Sequence, residues 1–117
     1  MSDKTIIFHN PQCSKSRETL DLLQNSSCEF EVVEYLKDTP KKSELKRIIK
    51  LLGVKPQDLI RKSEEIYKVN FKDKNLSDKG WIEAMVKFPK LIERPIVIQG
   101  EKAIIGRPPT LVLDLIN

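Results

Sequence analysis

The sequence is poor in several residue types that define protein classes. Its 117 residues include two cysteines, one histidine, one tryptophan and four glycines. Two cysteines are too few for the disulfide framework that staples small secreted domains. They also do not make a zinc site, because Cys13 and Cys28 are far apart in sequence and only His9 could join them. Apolar runs such as Pro95-Ile96-Val97-Ile98 fall far short of the roughly 20 residues that cross a bilayer. Met1-Ser2-Asp3-Lys4 lacks the zones of a signal peptide, so a cytoplasmic location is the expectation. No charge of one sign dominates. The net charge of +4 is weak for a nucleic-acid partner, yet compatible with a small anionic substrate. With no repeat or linker, residues 1–117 read as one domain with a single core, and as a monomer.

The hydrophobic pattern is that of an α/β chain. Thr5-Ile6-Ile7-Phe8 reads as a buried strand that ends at the turn-forming Asn10-Pro11. A helix follows from Ser14 to about Asn25, then a strand over Glu29 to Tyr35 with Phe30 and Val32 on one side. Leu45, Ile48, Ile49 and Leu52 keep helical spacing up to the stop at Gly53. Pro56 opens a short helix carrying Leu59 and Ile60. Ser77 is positioned to cap a helix presenting Trp81, Ala84, Met85 and Phe88. Pro95 to Ile98 and Lys102 to Ile105 read as strands joined by Gln99-Gly100, and Pro109 to Ile116 as a closing helix. That order is thioredoxin-like, with a helical insertion between the second and third strands. Its first crossover should be parallel and right-handed, and its last two strands antiparallel.

The chemistry concentrates at the first strand–helix junction, His9-Asn10-Pro11-Gln12-Cys13-Ser14-Lys15-Ser16-Arg17. A cysteine immediately before a helix meets free backbone N–H groups and the positive end of the dipole, which favour a thiolate. The same turn is an anion cradle, to which Ser16 and Arg17 belong, so nucleophile and oxyanion would meet there. His9, Lys15 and Arg17 add cationic or polarising neighbours. The bland alternatives are a buried packing cysteine, a structural histidine at a strand end, and a solvated helix face for Lys15 and Arg17.

His9-Asn10-Pro11-Gln12-Cys13 with Ser16-Arg17 and Thr19-Leu20 resembles the start of the ArsC arsenate reductase family. So do Leu59-Ile60-Arg61-Lys62, Leu91-Ile92-Glu93-Arg94-Pro95-Ile96-Val97 and Ile105-Gly106-Arg107-Pro108-Pro109, in the family's order. Gln12, Ser14 and Lys15 are similar to the shorter YfgD-type branch. The resemblance implies a thioredoxin-like fold, Cys13 as nucleophile and His9 as a residue that helps hold its thiolate. It also implies Arg61, Arg94 and Arg107 around the oxyanion, where planar guanidinium forks suit tetrahedral anions. In this fold the bond before the proline opening the third strand is usually cis, so a cis Arg94–Pro95 bond is expected, against an ordinary trans proline at an edge.

The implied activity is reduction of arsenate to arsenite through a Cys13 adduct. Glutathione is the co-substrate, glutaredoxin the thiol partner, and no metal or tightly bound cofactor takes part. Cys28 reads as structural or incidental. Two further readings stay open: a glutathione-dependent thiol-disulfide reductase, and an Spx-like redox-sensing regulator that binds RNA polymerase. The latter generally carries a Cys-x-x-Cys switch, whereas this chain has Cys13-x-x-Ser16.

Overall fold

The computed structural model describes residues 4–116; the reading of Met1-Ser2-Asp3 lies outside them. The chain divides into two compact units, residues 39–93 and the described residues on either side.

The flanking segments build a four-stranded sheet with two helices. The strands are β1 (Thr5–Phe8), β2 (Phe30–Val33), β3 (Ile96–Gln99) and β4 (Lys102–Ile105), in the order β2-β1-β3-β4. β1 runs parallel to β2 and antiparallel to β3, which runs antiparallel to β4. The two central strands carry the apolar runs, and Ile96, Val97 and Ile98 of β3 are all buried. α1 (Ser14–Gln24) lies between β1 and β2 in sequence, and α5 (Leu111–Ile116) closes the chain. Ile7, Leu23, Val97, Val112 and Leu115 form the core of this unit, with Leu20, Phe30 and Ile104 packed against it. Burying each such side chain contributes about 1.5–3 kcal/mol.

Two details differ from the sequence reading. β2 is an edge strand, shorter than Glu29 to Tyr35, and its Val32 is exposed rather than covered like Phe30. The hairpin turn is shifted by one residue: Gln99 pairs with Lys102, so Gly100-Glu101 makes the turn, with Gly100 at φ 61°.

Residues 39–93 form the insertion between β2 and β3. They comprise α2 (Lys42–Leu52), α3 (Glu65–Asn70) and α4 (Asp78–Lys87), with single 3₁₀ turns at Pro56–Leu59 and Pro89–Leu91. α2 ends where expected, at Gly53 in the left-handed region (φ 70°), whose N–H bonds the Ile49 and Lys50 carbonyls. Ser77 caps α4 by accepting the Gly80 N–H at 3.1 Å. Tyr67, Phe71, Trp81 and Phe88 form a chain of ring contacts with centroids 5.9–6.5 Å apart.

Candidate active site

Cys13 is the N-cap residue of α1, with extended backbone (φ −98°, ψ 124°) and only 8% exposure. Three local bonds hold it there. Its N–H donates to the Asn10 carbonyl at 3.0 Å, the Gln12 N–H to Asn10 Oδ1 at 3.0 Å, and the Arg17 N–H to the Cys13 carbonyl at 3.0 Å. Asn10 thus folds the loop as an Asx turn, so that the next side chain starts the helix.

At an N-cap, a side-chain acceptor ordinarily takes the N–H groups two and three residues on, here Lys15 and Ser16. The Cys13 thiol closes no formal cap bond. Burial is the largest single influence on it and pushes its pKa up. The Ser16 N–H, a hydrogen bond from Arg94, the Lys15 N–H and the Arg94 charge together outweigh burial and hold the thiol below its ordinary value.

The arginines reach this point from the other end of the sequence. Arg94, 8% exposed, stands immediately before β3. The Arg107 side chain donates from Nε to the Arg94 carbonyl at 2.8 Å, and its Nη2 lies 3.6 Å from Cys13 Sγ. One guanidinium fork therefore ties the two loops together and faces the sulfur. The Arg94–Pro95 bond is cis, as expected, and so is Arg107–Pro108. Gly106 lets β4 approach α1 here: a Cβ on it would stand 2.7 Å from Thr19 Oγ1 and 2.8 Å from Pro95 Cγ.

His9 and Ser16 form a buried polar layer in the same unit. His9 Nδ1 and Ser16 Oγ are hydrogen-bonded at 2.6 Å, and Ser16 Oγ also accepts the Asn10 N–H at 3.0 Å. Burial, aided by the Arg17 charge, lowers the His9 pKa more than Glu34 and its hydrogen bonding with Ser16 raise it. Burial thus favours the neutral imidazole over the charged one.

The remaining sequence candidates are placed as follows. Arg17 donates from Nη1 to the Pro11 carbonyl at 3.0 Å, which braces the loop. Lys15 pairs with Glu18 at 3.7 Å. Cys13, His9, Ser16, Arg17, Arg94, Pro95 and Arg107 all belong to the sheet-containing unit. Arg61 belongs to the other, where its Nη1 is 3.0 Å from Glu93 Oε1 and its Nε 3.8 Å from Glu64 Oε1. Cys28 is a free thiol with its Sγ 3.1 Å from Thr5 Oγ1. The sequence marks Asn10 only as half of the turn-forming Asn10-Pro11, and Gly106 only within a motif. The Asn-Pro turn and the Gly-Arg-Pro-Pro run were the available signals.

The unit thus places one thiol, held below its ordinary pKa and flanked by two guanidinium groups, at a helix N-terminus. That combination suits nucleophilic attack on an oxyanion. The model of the ArsC family matches residues 8–115. The chain is 47% identical to the uncharacterized protein YfgD of Escherichia coli K12, over the full length of both. It is 44% identical to an arsenate reductase of Haemophilus influenzae, covering 95% of this chain and 97% of that one. Among solved structures, an arsenate reductase from Vibrio cholerae superposes with a TM-score of 0.90 at 46% identity, covering 97% of this chain and 98% of that one.

Proposed function

The chain belongs to the ArsC family, and from that premise we propose that it reduces arsenate to arsenite with Cys13 as nucleophile. The observation that carries this reading is the Cys13 thiol, held below its ordinary pKa at the start of α1 with Arg107 Nη2 3.6 Å from its sulfur.

Cys13 thiolate attacks the arsenic of arsenate, an S–As bond forms, and one oxygen leaves as water after protonation. Arg94 and Arg107 neutralise the oxyanion as its charge redistributes. The glutathione thiolate forms a second S–As bond as another arsenic-bound oxygen leaves as water, and a glutaredoxin thiol then attacks the glutathione sulfur, breaking its bond to arsenic. Those two thiols are oxidised to one mixed disulfide and supply the two electrons that take arsenic from +5 to +3. Water displaces Cys13, so arsenite leaves and the thiolate returns. The sum is arsenate plus two thiols giving arsenite, a disulfide and water. In this cycle neither a metal nor a bound organic cofactor has a task.

His9 is a positioning residue in this scheme, acting through Ser16 on the loop that holds Cys13. Arg17 braces that loop, and Ser16 supplies an N–H to the anion site. The assignment of Arg61 to the oxyanion rests on the family resemblance. We read residues 1–117 as one functional domain, because the family match runs through both units.

The test is NADPH oxidation coupled through glutathione reductase, with glutathione and glutaredoxin present, using arsenate or a glutathionylated protein as the oxidant. Arsenate-dependent turnover is the expected result. Turnover with the glutathionylated protein alone would make the protein a thiol-disulfide reductase instead.

A further inference from the structure

Arg61 apart, the helical unit carries charge that the proposed reaction leaves unused. Residues 39–93 hold fourteen Lys and Arg against eight Asp and Glu, a surplus of six, whereas the whole chain has a surplus of four. Three of those lysines, Lys62, Lys72 and Lys74, line one cavity of about 200 Å³ together with Gln57, Asn75 and Trp81. No carboxylate is among the described residues that line it. None of the three lysines forms an ion pair with a described residue, and Lys74 only lies over the Phe71 ring, 5.8 Å from its centroid.

The apolar wall is equally distinctive. Trp81 is 5% exposed, and its indole N–H is buried with no acceptor among the described residues. A buried donor left without an acceptor costs about 1–3 kcal/mol. Tyr67, which also lines the cavity, stacks on Trp81 with centroids 6.5 Å apart and planes at 22°. Ammonium and indole groups only donate hydrogen bonds, and the two amides and the phenol can each donate as well. The wall is therefore built for an acceptor-rich, multiply charged guest. Lysines act as point charges, which suit a phosphate, and no arginine fork is present to select a planar carboxylate.

We propose that this cavity binds a small phosphorylated molecule, a diphosphate or phosphate monoester, at a site sharing no residue with the Cys13 centre. The three ammonium groups neutralise the phosphate oxygens. Tyr67 and Trp81 provide the wall against which the rest of the molecule lies. The proposal does not depend on the arsenate reading.

Trp81 is the only tryptophan in the chain, so its emission reports on this wall without a label. Pyrophosphate and glycerol phosphate are titrated into the full-length protein at fixed ionic strength, with sulfate as the control and calorimetry in parallel. A saturable Trp81 signal with matching heat is expected. Affinity should fall about tenfold or more in Lys72→Gln/Lys74→Gln, which is about 1.4 kcal/mol, and stay unchanged in Arg107→Ala. Three results would overturn the proposal: no saturable binding by either method, equal affinity in the lysine variant, or loss only in Arg107→Ala, which would put the anion at the thiol. An equal response to sulfate would also overturn it, as general ionic screening.

Discussion

Gly106→Ala isolates the close approach on which the thiol site is built. The added Cβ would stand 2.7 Å from Thr19 Oγ1 and 2.8 Å from Pro95 Cγ, both closer than van der Waals contact allows. Neither neighbour yields easily. Thr19 is fully buried on α1 with its hydroxyl donating to the Lys15 carbonyl at 2.9 Å, and Pro95 is a buried, rigid ring. Gly106 itself donates its N–H to the Pro95 carbonyl at 2.8 Å, which pins its backbone. Overpacking of this kind destabilises by about 1–3 kcal/mol. Urea denaturation should show that loss as a shift of the midpoint with an unchanged slope. Removing the obstacle on one side, in Thr19→Ala/Gly106→Ala, should make the double variant more stable than the two single losses predict, by about 0.5 kcal/mol or more. Because Gly106 precedes Arg107, whose Nε bonds Arg94, turnover should fall along with stability. A loss under about 0.5 kcal/mol in the single variant, with full turnover, would refute the reasoning: the strand would then have room to move away from α1 without disturbing the arginines.

Other perturbations separate backbone from side-chain effects on the sulfur. In the folded chain the Cys13 thiol binds its proton less tightly than in the unfolded chain. Its contribution to stability should therefore be lost as pH falls through the folded pKa, and fully present above about 8.5; paired denaturation curves of wild type and Cys13→Ser across that window test the sign. Arg94→Ala should raise the pH at which Cys13 alkylation by iodoacetamide reaches half its plateau. Lys15→Ala should not, because its contribution comes from the backbone N–H. Ser16→Ala should lower stability by about 1–3 kcal/mol, since it strands the Asn10 N–H and His9 Nδ1, while the thiol titration stays in place because the Ser16 N–H remains.

The sequence disclosed what is periodic or punctuated. Thr5–Phe8 and Lys102–Ile105 match their strands end to end, and Gly53 and Ser77 mark helix boundaries by backbone chemistry that needs no tertiary context. α3 was not legible because none of its six residues is buried, so it has no apolar stripe to read. The 3₁₀ turn at Pro89–Leu91 is too short to show a period. At the site, the cysteine before a helix was visible locally. The contact between Arg107 and Cys13 spans nearly the whole chain and entered only through the family resemblance. The turn at Asn10 is local and is marked by Asn10-Pro11, whereas the clearance at Gly106 depends on Thr19 and Pro95, which the fold brings beside it.

The most direct test of the central claim is the rate of arsenite formation, measured with arsenate, glutathione and glutaredoxin, for wild type, Cys28→Ser and Cys13→Ser. Cys28 bonds to Thr5 and has no part in the proposed cycle, so Cys28→Ser should match wild type, while Cys13→Ser should form no arsenite above the protein-free background. Arsenite formation that survives Cys13→Ser, or that disappears in Cys28→Ser, would contradict the account.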